Sequence, residues 1–370
     1  MYAARLTAAL LALSAAEGHQ RAGVHLFGLG GPRMREAGVE LLADSSQVAV
    51  VGISEVVRRL PAVWRIYRQL GDEAARRKPA LAILVDFPDF NLRLARRLHA
   101  AGIRIVYFIS PQVWAWRPGR VKLMRRLVER VLCIFPFEER LYRDAGVPAT
   151  FVGHPLVAGV RPRWPREEFL RRYDLDSSRP LVTLLPGSRP GEIAHILPTL
   201  LEACVLLQRE VPECQFALAI APGLTGRAVE SFARCDLPVH VVEGATYDAL
   251  AAADCALVAS GTATVEAALL GTPMVVVYRV SPTTAFIACR LVRTPHFAMV
   301  NLIAGRRVVP ELIQEDFTAA AVAQEAGKLL SSSEARERMK RDLAEVSASL
   351  AGERPGGAIE RAAEIITGML

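Results

Sequence analysis

Short aliphatic runs that stop abruptly at polar or glycine-rich turns, each followed by a helix-like segment, constrain this chain more than any other feature. Ala80–Val85 is such a run and stops at Asp86. Leu181–Leu185 stops at Pro186-Gly187-Ser188-Arg189, and Met274–Tyr278 is a third. Runs this short suit strands covered on both faces better than buried helices. Strands that alternate with helical segments pair in parallel through right-handed crossovers. The expected class is therefore α/β with doubly wound sheets. At 370 residues the chain has room for two such domains. Aromatic residues make up only 6% against 52% apolar in all, so Leu, Val, Ile and Ala must fill the cores.

Along the chain, Leu6, Leu10 and Leu13 share one face of a helix predicted over Tyr2–Glu17. The early Arg5, the apolar run and the small residues also imitate a secretory signal, but the leucine spacing favours the helix. A strand at Val24–Phe27, a short helix at Pro32–Ala37 and a strand at Val48–Val51 follow. A helix runs from Glu55 toward Arg68, and Pro61 should break or bend it. After strand 80–85 come a helix at Phe90–Ala101 and strands at Ile103–Ile109 and Val131–Ile134. The second domain starts near Val157, with strands at Leu181–Leu185, Phe216–Ile220, Val239–Val242, Leu257–Val258 and Met274–Tyr278. Ser333–Arg354 reads as a surface helix and Ala358–Leu370 as a last helix. The expected division is residues 1–156, 157–350, and a terminal helix at 351–370 that returns to the first domain. No apolar run is long enough to cross a bilayer.

The net charge of +7 admits phosphorylated substrates, anionic lipid or nucleic acid. No zinc-finger spacing, RNP-like run or long basic block supports nucleic acid. The six cysteines form no CxxC or CxxH pair, so neither a disulfide framework nor a metal site is expected.

Ligands of open α/β sheets sit beyond the carboxyl ends of strands. Asp86, Asp89 and Asn91 occupy that place after strand 80–85. Asp89 is the candidate base for a hydroxyl nucleophile. Asp86 either orients a neighbour or caps the next helix. Gly187, Ser188 and Arg189, with Glu192 beyond, offer a close backbone, a hydroxyl and a guanidinium for phosphate. The Gly-Lys-Ser ending of a Walker loop is absent. Ser260, Gly261 and Thr262 open another helix, with Glu266 placed to take the two hydroxyls of a ribose or simply to offset the helix dipole. Ser110-Pro-Gln-Val-Trp114-Ala-Trp116 suits a sugar surface or packing between domains, and His154 lies at the hinge.

Together these segments resemble the lipid A disaccharide synthases over nearly the whole chain. The resemblance rests on Gly28–Met34, Asp86–Leu92, Ser110–Trp116, Val152–Leu156, Leu185–Arg189, Ser260–Thr264 with Glu266, and Asn301–Arg306 with Val309–Glu311. It implies a GT-B architecture, two Rossmann-like domains facing a cleft, with the acceptor on the first and the UDP-sugar on the second. It implies transfer of 2,3-diacylglucosamine from UDP to 2,3-diacylglucosamine 1-phosphate, giving a β-1,6 disaccharide 1-phosphate and UDP. Asp89 would then take the acceptor's proton, Arg189 would face the diphosphate, and Thr262, Glu266 and Asn301 would hold nucleotide or lie near it. No cofactor beyond the UDP-sugar donor and no metal is implied. A homodimer with exchanged C-terminal segments is suggested by the family.

The family opens with a strand and a Gly-Glu-x-Ser-Gly-Asp turn, whereas this sequence starts inside the first helix. The expectation is a missing first strand in the N-terminal domain. The alternatives are another GT-B UDP-sugar transferase or epimerase, or a catalytically impaired form that binds lipid or nucleotide. The implied acylated substrates place the protein in the cytoplasm, peripheral on the anionic inner face of the cytoplasmic membrane. Residues 56–68 mix four arginines with Val56, Leu60, Val63, Trp64, Ile66 and Tyr67 and are the expected contact, as two short pieces or a lip around Pro61.

Overall fold

The computed structural model describes residues 2–16, 24–47, 53–111, 119–221, 223, 237–281, 294–352 and 357–370. The chain forms two compact units, residues 1–155 with 350–370, and residues 156–349.

In the first unit, α1 (Tyr2–Ala16) precedes β1 (Phe27–Gly30), α2 (Pro32–Glu36) and β2 (Glu40–Asp44). Then come α3 (Ile53–Arg77), β3 (Ala82–Val85), α4 (Pro88–Ala100), β4 (Ile105–Phe108), α5 (Gly119–Leu127), β5 (Arg130–Cys133), α6 (Pro136–Asp144) and β6 (Ala149–Phe151). β3 to β6 pair in parallel in sequence order, and β1 and β2 form a separate parallel pair. Among the described residues no backbone ladder joins the two sheets. Ile66, Leu70 and Ala74, one helical turn apart on α3, and Phe90, Leu94 and Leu98 on α4 bury against Leu84, Ile105 and Tyr107.

Pro61 does not divide α3, which runs unbroken from Ile53 to Arg77 and overturns the expectation of two pieces. Proline inside a helix costs about 3 kcal/mol, but it lies on the exposed side, and the buried Ile66–Ala74 stripe holds the helix onto the sheet. The strand expected at Val24–Phe27 lies later, at Phe27–Gly30, where its glycines imitate a turn. The strand expected at 48–51 falls outside the described residues.

In the second unit, α7 (Arg166–Arg172), β7 (Leu181–Leu185), α8 (Pro190–Glu210), β8 (Gln215–Ile220), β9 (Val239–Glu243), α9 (Thr246–Ala252) and β10 (Cys255–Ala259) lead to α10 (Thr262–Leu269) and β11 (Met274–Tyr278). α11 (Met299–Ala304), β12 (Glu311–Ile313), α12 (Ala319–Ser331) and α13 (Ser333–Ala351) follow, and α14 (Ala358–Thr367) belongs to the first unit, where it packs on α1. The six parallel strands run β12-β11-β10-β7-β8-β9. The order reverses between β7 and β10, which is the switch point where doubly wound sheets bind ligands. α8 is long and apolar enough to span a membrane by composition, but Ile193, Ile196, Leu197, Leu200 and Leu201 are buried in this unit.

Candidate functional site

In the first unit the polypeptide leaves β3 and β4 in unusual conformations. Asp86 and Phe87 have φ of 48° and 47°, and Ile109, just past β4, has φ of 58°. Left-handed backbone is uncommon outside glycine and a genuine outlier for β-branched Ile109. Such residues cost on the order of 1–3 kcal/mol each and persist where their surroundings hold them. For Asp86 those surroundings are explicit. Its carbonyl accepts from the Tyr107 hydroxyl and from Asn91 Nδ2, both at 2.7 Å. The Asn91 amide also donates to the Val85 carbonyl at 3.2 Å, and Asp86 N–H donates to Phe108 O at 3.2 Å.

α4 begins directly on this turn, with Asp89 in its first turn. The Asp89 side chain is 72% exposed and is ion-paired with Arg120 Nη2, whose own side chain is 19% exposed. Arg120 lies 31 residues away in α5, so sequence spacing gives no signal for the pair. Of the three residues read as catalytic, Asp89 alone presents an exposed carboxylate paired to a cation. Asn91 is nearly buried, with its amide spent on backbone carbonyls.

Beyond β4, the Ser110 hydroxyl donates to the buried Glu138 carboxylate at 3.3 Å, and Tyr142 donates to Pro111 O at 3.2 Å. Trp114 and Trp116 lie outside the described residues. His154 is buried beside Phe135, with ring centroids 5.2 Å apart, and burial lowers its pKa to about 4.

In the second unit the two expected loops flank the switch point. Gly187, at φ 116°, turns the chain out of β7, and a side chain there would strike Glu192. The Glu192 carboxylate accepts from Ser188 N at 3.1 Å, Arg189 N at 3.3 Å and Arg189 Nη1 at 3.1 Å. It thereby marks where an anion meets these donors at the start of α8. The Arg189 side chain is 70% exposed.

Across the switch point, Gly261 and Thr262 are exposed at the start of α10, and the Ser260 hydroxyl donates to Phe297 O at 3.1 Å. Glu266, one turn into α10, faces a cavity of about 320 Å³ lined by Arg161, Arg163, residues 244–246, Tyr247 and Asp248. Tyr247 donates its hydroxyl to Glu266 Oε1 at 2.9 Å, and burial raises the Glu266 carboxyl above its ordinary range against the opposing effect of that bond. Sequence reading missed Arg161, Arg163 and Tyr247. The one available signal was the Thr246-Tyr247-Asp248 helix start directly after a strand.

Asn301 is fully buried. Its Nδ2 donates to Val309 O at 3.0 Å and Glu311 Oε1 at 2.6 Å, while its Oδ1 accepts from Val308 N at 2.8 Å and Val309 N at 3.0 Å. Glu311 in turn accepts from Phe297 N and Ala298 N, both at 3.0 Å. Asn301 therefore supports the segment that receives the Ser260 hydroxyl.

The chain resembles known proteins in both sequence and fold. A lipid-A-disaccharide synthase from Solibacter usitatus is 48% identical over 346 residues, covering 93% of this chain and 90% of that protein. A putative UDP-N-acetylglucosamine 2-epimerase from Listeria monocytogenes matches with a TM-score of 0.61 at 12% identity, covering 99% of this chain and 92% of that one. UDP-GlcNAc 2-epimerase from Neisseria meningitidis, solved bound to UDP-GlcNAc, matches with a TM-score of 0.57 at 12% identity over 99% of this chain and 96% of that one. These structures share the two-domain Rossmann-like fold of GT-B glycosyltransferases and epimerases. The lipid-A-disaccharide synthetase family pattern matches residues 8–364, so the chain belongs to the lipid-A-disaccharide synthetase family and is a disaccharide-forming glycosyltransferase.

Proposed function

We propose that the chain joins UDP-2,3-diacylglucosamine to 2,3-diacylglucosamine 1-phosphate by a single inverting displacement. The acceptor's 6-hydroxyl oxygen forms a bond to the donor's anomeric carbon while the bond to the UDP oxygen breaks. The hydroxyl proton passes to Asp89, and the leaving electron pair stays on UDP. The observation that carries this reading is Asp89 itself, an exposed carboxylate set beyond a strained strand end and paired with Arg120.

The first unit is the acceptor side and the second the UDP-sugar side. Gly187, Ser188 and Arg189 meet the diphosphate as its charge grows on departure. Ser260, Gly261 and Thr262 line the nucleotide across the switch point, and Glu266, oriented by Tyr247, accepts from the ribose hydroxyls. Asn301 acts through Glu311 and the Phe297 segment on Ser260.

The acylated substrates bring the protein to the anionic inner face of the cytoplasmic membrane. Leu60, Trp64 and Phe87 are 50%, 60% and 40% exposed. Trp64 stacks on Tyr67 at 5.1 Å, Tyr67 meets Phe90 edge-on at 6.4 Å, and Phe90 stacks on Phe87 at 5.6 Å. This aromatic row runs from the outer face of α3 to the turn before Asp89 and suits acyl chains entering from a bilayer.

The test is a product assay with acylated and unacylated UDP-glucosamine, each supplied with acceptor and read by mass spectrometry. The acylated donor should give disaccharide 1-phosphate and equimolar UDP. An epimerised UDP-sugar without disaccharide, or equal use of the unacylated donor, contradicts the proposal.

A further inference from the structure

The Asp86–Phe87 turn is the one place among the described residues where two consecutive non-glycine residues are both left-handed. Aspartate is among the residue types that tolerate left-handed backbone, but the bulky ring of Phe87 disfavours it, so Phe87 must be held there by its surroundings. What holds the turn comes from below. Tyr107 stands at the centre of β4, fully buried, with its ring among Leu84, Ile105 and Val131. Its hydroxyl reaches through the core to the Asp86 carbonyl at 2.7 Å. Asn91 supplies a second donor to the same oxygen at 2.7 Å. Burial raises the Tyr107 pKa, so the hydroxyl stays a neutral donor at any working pH.

We propose that Tyr107 is a positioning residue for sugar transfer: with Asn91 it grips the Asp86 carbonyl, holds the left-handed turn, and thereby sets where Asp89 stands. Asp89 follows Phe87 by two residues, and its side chain is mostly exposed, so the backbone at the start of α4 decides where the carboxylate begins. Released from the grip, Asp86 and Phe87 relax toward ordinary backbone and carry the start of α4 with them. The inference rests on the assignment of Asp89 as the acceptor-side base.

A double-mutant cycle separates this role from core packing. Tyr107→Phe keeps the ring and removes only the hydroxyl. Its kcat should fall about tenfold, the kinetic equivalent of one lost hydrogen bond, with donor KM unchanged. Phe87→Gly makes the left-handed conformation easy. In that background Tyr107→Phe should cost less than about threefold, because the turn no longer needs the grip. Asn91→Ala, made in both backgrounds, is a second probe should Tyr107→Phe fail to fold, and it should show the same loss of effect in the Phe87→Gly chain. Equal losses with and without the Phe87→Gly change would show that the hydroxyl only supports the core and would overturn the proposal. Asp89→Asn is measured alongside. If it abolishes turnover while Tyr107→Phe turns over normally, the positioning role fails and the base assignment stands. If Asp89→Asn turns over like wild type, the base assignment fails first.

Discussion

Tyr247 donates its hydroxyl to Glu266 at 2.9 Å, across 19 residues of sequence, and so orients the carboxylate at the edge of the cavity beneath α10. Burial raises the Glu266 pKa and the Tyr247 bond lowers it. A carboxyl whose folded pKa is raised stabilises the fold below its unfolded pKa and loses that contribution as pH rises through the folded value. Ligand-free wild type should therefore lose stability relative to Glu266→Gln as pH climbs from about 4.5 toward neutrality. Tyr247→Phe should raise the Glu266 pKa further and weaken UDP binding. Denaturant melts across that range and calorimetry with UDP check both. A flat stability difference, or unchanged UDP affinity in Tyr247→Phe, contradicts the assignment.

The ion pair between Arg120 and Asp89 makes a second prediction. Arg120 is the less exposed partner and limits the rotamers open to the carboxylate. Arg120→Ala should lower turnover about tenfold, and Arg120→Lys should recover part of it, since lysine keeps the charge but loses the planar fork. In an Asp89→Asn chain the same Arg120→Ala change should add little, because the two residues act as one unit. Additive losses in steady-state kinetics would separate them.

His154 sets an acid limit. Burial lowers its pKa from the ordinary 6.5 to about 4, so the imidazole is neutral in the folded protein. A group whose folded pKa is depressed contributes stability above its unfolded value and loses it as pH falls through the folded one. Wild type should lose about 3 kcal/mol between pH 6.5 and 4 from this residue, and His154→Gln should flatten that limb in urea melts. The backbone N–H of His154 donates to Leu350 O at 2.9 Å, a bond that imidazole protonation leaves in place.

The exposed face of α3 predicts membrane binding. Val63 packs toward the core, whereas Leu60 and Trp64, one turn apart, face outward. Leu60→Ser/Trp64→Ser should fold normally and partition less onto anionic vesicles in flotation, while added salt weakens the arginine contribution in both proteins. Equal flotation of wild type and variant would remove α3 as the contact.

Much of the fold is written in local pattern. β7 and β11 match their aliphatic runs, Leu181–Leu185 and Met274–Tyr278, at both ends, because a buried parallel strand needs apolar residues on both faces. β2 (Glu40–Asp44) was not legible, since its ends are charged, and β6 and β12 are only three residues long. The unbroken α3 depended on a packed stripe beyond the proline, which propensity alone does not weigh. The candidate loops were readable as residue types after strands. Their partners were not. Tyr107 is 21 residues from Asp86, Arg120 is 31 from Asp89, and Tyr247 is 19 from Glu266, so only the folded sheet brings them together.

We propose that Asp89 is the acceptor-side base and that Arg189 and Glu266 hold the nucleotide. Steady-state turnover of Asp89→Asn at saturating acceptor, with UDP affinity measured on the same sample, tests it most directly. Turnover should fall by about 10²-fold or more with UDP affinity unchanged. Wild-type turnover in Asp89→Asn would contradict it.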